Sequence, residues 1–168
     1  MKLHLLSGSS PLADYATLDA DPAYDPDYLA HIPPLPSPVM RTAWDEIALI
    51  HGIEHLRLAE AMSLLPDLYA ILVPGGKLIL EQPNIIWCMQ VILGLRPRPQ
   101  EAFHEQCGLA GIFGDPTYTS REMVHPWGYW PESLTELLIR CGFQEQKITV
   151  LPAQFHRADR DFRIEAVK

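Results

Sequence analysis

The sequence predicts an α/β fold with a mainly parallel sheet, helices on both faces and an antiparallel strand pair at the C-terminal end. Three observations carry this. Short apolar runs alternate with helical stretches, several of the runs stop at turn residues or acids, and the last two runs are joined by a polar connection. The 168 residues suit one domain with a sizeable core, read here as a single domain over 1–168.

Leu3 to Leu6 is a short buried-strand pattern, and Ala16 to Leu18 a second that ends at Asp19. About nine residues separate them, fewer than a parallel crossover with a full helix requires. Tyr28 to Ile32 is a short extended piece in a proline-rich stretch, and Trp44 to Ile50 is a buried strand. After Gly52, apolar residues recur at helical spacing from Ile53 to Leu68, with Pro66 predicting a kink or the start of a new helix. Pro74-Gly75-Gly76 is a turn, Lys77 to Glu81 a strand, and Asn84 to Leu95 a helix. Residues 96–130 show no sustained period and are expected to form an irregular lid or substrate loop. Pro131 opens a helix that Gly142 stops, and strands follow at Gln146 to Leu151 and Phe162 to Val167.

Composition narrows the function classes. A net charge of −8 argues against general nucleic-acid binding. The longest apolar run, Ile85 to Leu95, is too short to span a bilayer. Three cysteines without a CxxC pair suit a reducing cytoplasm, and no signal peptide is visible. Neither GxSxG nor GxxxxGK[ST] is present.

Ligands of such sheets sit beyond the carboxyl ends of the strands. That rule gathers Ser7-Gly8, Asp19, His51 to His55 and Gln82 to Asn84 around one crevice. The segments LHLLSG, ATLDAD, WDEIALIHGIEHL, LVPGGKLILEQPN and HPWGYWPESLTELLIRCGF, in that order, resemble the class I S-adenosylmethionine-dependent methyltransferases. The closer resemblance is to short members often found among surface-glycan genes, whose glycine turn runs directly into the second strand.

The resemblance implies a Rossmann-like fold, S-adenosylmethionine as cofactor, and methyl transfer to a small molecule or glycan-type acceptor. It implies cofactor contacts from Ser7 and Gly8 in the first turn and from Asp19, placed to accept the ribose hydroxyls. His31 falls where the family often has an acid against the adenine, and His51 and Glu54 line the same pocket. The chain departs from the family at Leu6, which stands at the first turn glycine. Its side chain either points into the core or fills cofactor volume. The sequence starts at the first strand, so the leading helices that often cover the ligands are not expected, and a second copy of the chain could lend that cover.

For chemistry, methyl transfer needs alignment of nucleophile and methyl, with a base for a hydroxyl or amine acceptor. His125, His55 and Tyr129 are the candidates, His125 because it lies among Trp127, Tyr129 and Trp130. A structural aromatic cluster is the competing reading. The spacing of His104, Cys107 and His125 fits no zinc pattern, so no metal site is expected. Arg157, Arg160 and Arg163 are expected in a solvated charged hairpin. Two other functions compete: a methyltransferase-like binding module without catalysis, and a nicotinamide-dependent oxidoreductase, which would lack its GxGxxG turn.

Overall fold

The structure is a computed structural model that describes residues 1–97, 108–117 and 123–168. His104 and Cys107 lie outside the described residues. Seven strands form one sheet: β1 (Lys2–Leu5), β2 (Ala16–Asp19), β3 (Tyr28–Leu29), β4 (Trp44–Ile50), β5 (Leu72–Pro83), β6 (Ile148–Pro152) and β7 (Asp161–Val167). Their order is β3-β2-β1-β4-β5-β7-β6. The first five are parallel where they pair, while β7 runs antiparallel to both β5 and β6.

Five helices accompany the sheet in the described residues: α1 (Ser37–Met40), α2 (Leu58–Ile71), α3 (Ile85–Ile92), α4 (Leu109–Phe113) and α5 (Pro131–Arg140). The alternation of side chains along each strand sets the core. Leu3 and Leu5, Ile47 and Leu49, Leu78 and Leu80, and Ile164 and Ala166 all face one side. There they meet Val39 of α1, Leu64, Leu65 and Leu68 of α2, and Leu134, Leu137 and Leu138 of α5. The intervening residues His4, Glu46, Lys77 and Glu165 face the other side. There Tyr15, from the β1–β2 connection, donates to Glu46, and Phe155, from the β6–β7 connection, lies against Arg163.

Several expectations are refined. Pro66 neither breaks α2 nor starts a helix; it sits exposed inside one continuous helix. The periodic stretch does divide, but earlier: Ile53–His55 is a separate 3-10 turn, so Glu54 and His55 lie before the α-helix and do not open it. Leu109–Phe113 is helical within the stretch expected to be irregular. Asn84 caps α3, its Oδ1 accepting from the Ile86 and Trp87 amides. Pro74-Gly75-Gly76 is absorbed into the long strand β5, beside an irregularity in its pairing with β4.

The arginines of the charged hairpin are not the solvated side chains expected. Arg163 is buried, between Glu165 at 2.7 Å and Glu81 at 3.9 Å. Arg160 is bound to the buried Asp161. Burial of cations requires such partners, and the interleaved acids supply them.

Candidate functional site

The carboxyl edge of the sheet carries two groups of polar residues. The first lies at the ends of β1 and β2. Asp19 is buried, and its Oδ2 accepts the Gly8 amide at 2.8 Å while Oδ1 accepts the Asp21 amide at 3.0 Å. The acid that ends β2 therefore holds the turn that ends β1. Ser7 is buried beside it, its amide donating to Leu18 O. Leu6 has φ +53°, the left-handed region that glycine enters freely. Its side chain packs against the main core. His31 is exposed in the segment after β3.

The second group lies beyond β4, β5 and β7. His51 follows β4, also with left-handed backbone at φ +52°, and its amide donates to Glu81 O. Its ring is held between two carboxylates: Nδ1 is 3.0 Å from Glu54 Oε1, and Nε2 is 3.1 Å from Asp161 Oδ2. Burial opposes charge on this imidazole, but bonds and charges from Asp161 and Glu54 outweigh it and push its pKa up to about 10. His51 is accordingly an imidazolium at neutral pH. The same contacts hold Glu54 and Asp161 ionised, against the desolvation that would raise their pKa values.

Asp161 also accepts from Arg160 Nε at 2.5 Å and from the Arg157 amide at 3.1 Å. His156 lies against His51, with ring centres 4.3 Å apart and planes tilted by 45°. It is placed there by Glu81, a fully buried carboxylate that accepts the amides of Gln154, Phe155 and His156. Burial, then the charge of His51, lowers the pKa of His156.

On the other side of Glu54 stand His55 and His125, with ring centres 4.8 Å apart in an edge-to-face arrangement. His55 Nδ1 is 3.3 Å from Val124 O, and His125 Nδ1 is 3.2 Å from Gly111 O. Burial lowers the pKa of His125, so that ring is neutral. Tyr129 is buried just before α5, and its hydroxyl has no hydrogen-bond partner among the described residues. Burial and the nearby Glu54 charge keep that hydroxyl protonated. Gln82, at the end of β5, is buried with both amide atoms unpaired. A cavity of about 330 Å³ opens between these residues, bounded by His51, His55, His125, His156, Arg157 and Arg160.

Of the residues singled out in the sequence, His51, Glu54, His55, His125 and Tyr129 come together, and Ser7, Gly8 and Asp19 form the neighbouring group. His31 joins neither by any hydrogen bond. The sequence reading missed Asp161, His156 and Glu81 as site residues and assigned Arg160 to a solvated hairpin. A signal for Asp161 existed: an antiparallel last strand enters the sheet at the carboxyl edge, and its first residue pairs with Pro83 at the end of β5.

No protein-family model and no curated protein matches the sequence. Solved structures do match in fold. A SAM-dependent methyltransferase from Thermotoga maritima superposes with a TM-score of 0.65 at 13% identity, over 99% of this chain and 81% of that one. Another, from Archaeoglobus fulgidus, gives 0.61 at 13% identity, over 99% of this chain and 85% of that one. The plantazolicin methyltransferase BpumL in complex with SAH gives 0.58 at 11% identity, over 99% and 75%. The chain has the class I methyltransferase-like fold. The mostly parallel sheet with its antiparallel C-terminal pair is as the sequence predicted. The chain spans only 47% of another neighbour, the CurJ carbon methyltransferase. Among the described residues of this methyltransferase-like chain, no helix is long and apolar enough to cross a membrane.

Proposed function

We propose that the chain binds S-adenosylmethionine at the ends of β1 and β2 and transfers its methyl group to a small-molecule or glycan-type acceptor in the histidine-lined cavity. The observation that carries this reading is the Asp19–Gly8 contact. It sets a carboxylate and a glycine turn side by side at the edge where this fold takes its ligand. The SAH complex of BpumL, a neighbour in fold, supports the choice of cofactor. In this reading Ser7 and Gly8 bring backbone to the methionine part, Asp19 accepts the ribose hydroxyls, and His51 and Glu54 bound the far side of the pocket. His31 flanks the adenine. His125, His55 and Tyr129 face the acceptor, where a neutral imidazole suits proton removal. Among the described residues Cys88 and Cys141 form no disulfide, in keeping with the cytoplasmic setting expected from the sequence.

The test is calorimetric titration with S-adenosylmethionine and with S-adenosylhomocysteine. Micromolar binding of both supports the reading and justifies an acceptor screen. Well-folded protein that binds neither at millimolar ligand overturns it. A second reading, a binding module without catalysis, draws on Leu6 in the place of a turn glycine. It predicts a folded protein without methyl transfer to any acceptor in the screen.

A further inference from the structure

We propose that Glu54, His55 and His125 form a binding site for a divalent transition-metal ion. The three residues come from two distant segments, the 3-10 turn after β4 and the stretch before α5. Each offers a ligand atom within 4.8 Å of the others. Metal–nitrogen and metal–oxygen bonds of about 2.0–2.2 Å would draw those atoms together by on the order of an ångström, within reach of side-chain rotation.

Two further observations point to an ion. First, both imidazoles turn Nδ1 to a backbone carbonyl, His55 to Val124 O and His125 to Gly111 O. A ring that donates through Nδ1 keeps its Nε2 lone pair free, and such carbonyl contacts orient metal-binding histidines. Second, Glu54 is 2% exposed; Oε1 meets His51 Nδ1 at 3.0 Å, while Oε2 has no hydrogen-bond partner among the described residues. A carboxylate has about four lone-pair sites, and buried ones are ordinarily used. A cation between Glu54 and the two rings would use them.

Two imidazoles and one carboxylate suit zinc, manganese, iron, cobalt or nickel better than magnesium or calcium. Three protein ligands leave coordination positions open, and His55 and His125 both border the cavity. The neighbouring group of His51, His156 and Asp161 is a poorer site. Its donors are already engaged: His51 Nε2 with Asp161, and both Asp161 oxygens with Arg160. The position of the ion does not depend on methyl transfer. Its use does: resting on that reading, the ion would hold an acceptor oxygen and increase its acidity, with the two histidines serving as ligands in place of a free base.

The experiment is calorimetric titration of untagged full-length protein, stripped with chelator, using zinc chloride and manganese chloride separately. One equivalent bound at micromolar affinity or better is expected for zinc. Glu54→Gln and His125→Ala should each weaken it by at least about tenfold, and His156→Ala should leave it unchanged. Absence of binding below millimolar metal, binding indifferent to Glu54→Gln and His125→Ala, or binding lost in His156→Ala would each overturn the assignment. The unaltered protein gives a second readout that needs no variant to fold. Titration with cobalt chloride should produce the intense visible bands of four- or five-coordinate cobalt, and a spectrum identical to aqueous cobalt would count against the site. Titrating the metal-free protein with S-adenosylhomocysteine tests the methyl-transfer reading separately.

Discussion

Leu6 packs where Gly52 leaves room for it: a Cβ on Gly52 would stand 3.2 Å from Leu6 Cβ and 3.3 Å from Leu6 Cδ1. The two residues end adjacent strands, and the glycine absent from the first turn is matched by one after β4. The Leu6 side chain thus points toward the core and Gly52. Of the two alternatives open in the sequence, the structure favours the core.

Leu6 therefore gives an inverted stability order. Leu6→Gly loses apolar packing but relieves a left-handed backbone, whereas Leu6→Ala loses the packing and keeps the strain. Leu6→Ala should be the less stable by about 1 kcal/mol, read from denaturant midpoints. The opposite order would mean that the backbone there is not left-handed. Affinity for S-adenosylhomocysteine should not change in Leu6→Gly; a large gain would show that the side chain occupies cofactor volume.

Asp19 bears on both turn and ligand. Asp19→Ala removes the acceptor of the Gly8 and Asp21 amides. Under the proposed function it should weaken S-adenosylhomocysteine binding by about tenfold or more, the equivalent of losing one charged hydrogen bond. Calorimetry on the variant checks this, and unchanged affinity would leave Asp19 a turn residue only.

Much of this was legible in the sequence, and the failures have physical causes. The β1, β4 and β5 runs and the α5 stripe read correctly because one buried face imposes a strict period on each. Glu54, His55 and His125 read as crevice residues because strand ends lie together in such sheets. The pairing of His51 with Asp161 did not read, since it depends on the register of a strand far along the chain. The arginines of the last hairpin misled for a related reason: alternating charges look solvated until pairing turns one set inward.

Tyr129 separates packing from chemistry. Its hydroxyl is buried without a partner, so Tyr129→Phe should leave stability within about 0.5 kcal/mol of the parent or raise it. Turnover should fall once an acceptor is known. Equal turnover in a well-folded variant would remove the hydroxyl from the reaction.

His4 should give the fold part of its acid sensitivity. Burial lowers its pKa to about 4, against the pull of Asp19, and its Nδ1 accepts the Leu12 amide. The folded pKa lies below the unfolded value of 6.5, so the neutral ring's contribution is complete above pH 6.5 and is lost as pH falls toward 4. His125 and His156 shift in the same direction and add to the trend. His4→Asn, which retains an acceptor for Leu12, should flatten the fall in unfolding free energy between pH 6.5 and 4.5. Denaturant titrations across that range decide it, and an unchanged slope would place the sensitivity elsewhere.

The sheet face opposite the main core has a consequence for association between molecules. Glu46, Lys77, Glu165 and Arg163 stand across β4, β5 and β7, with Lys77 2.7 Å from Glu165 and Arg163 2.7 Å from the same carboxylate. Two copies stacked through this face would have to strip water from its accessible members, Glu46, Lys77 and Glu165, at a desolvation cost that ion pairs rarely recover. The face is thus a built-in barrier to sheet-on-sheet aggregation, and any dimer that lends the site a cover must form through another surface.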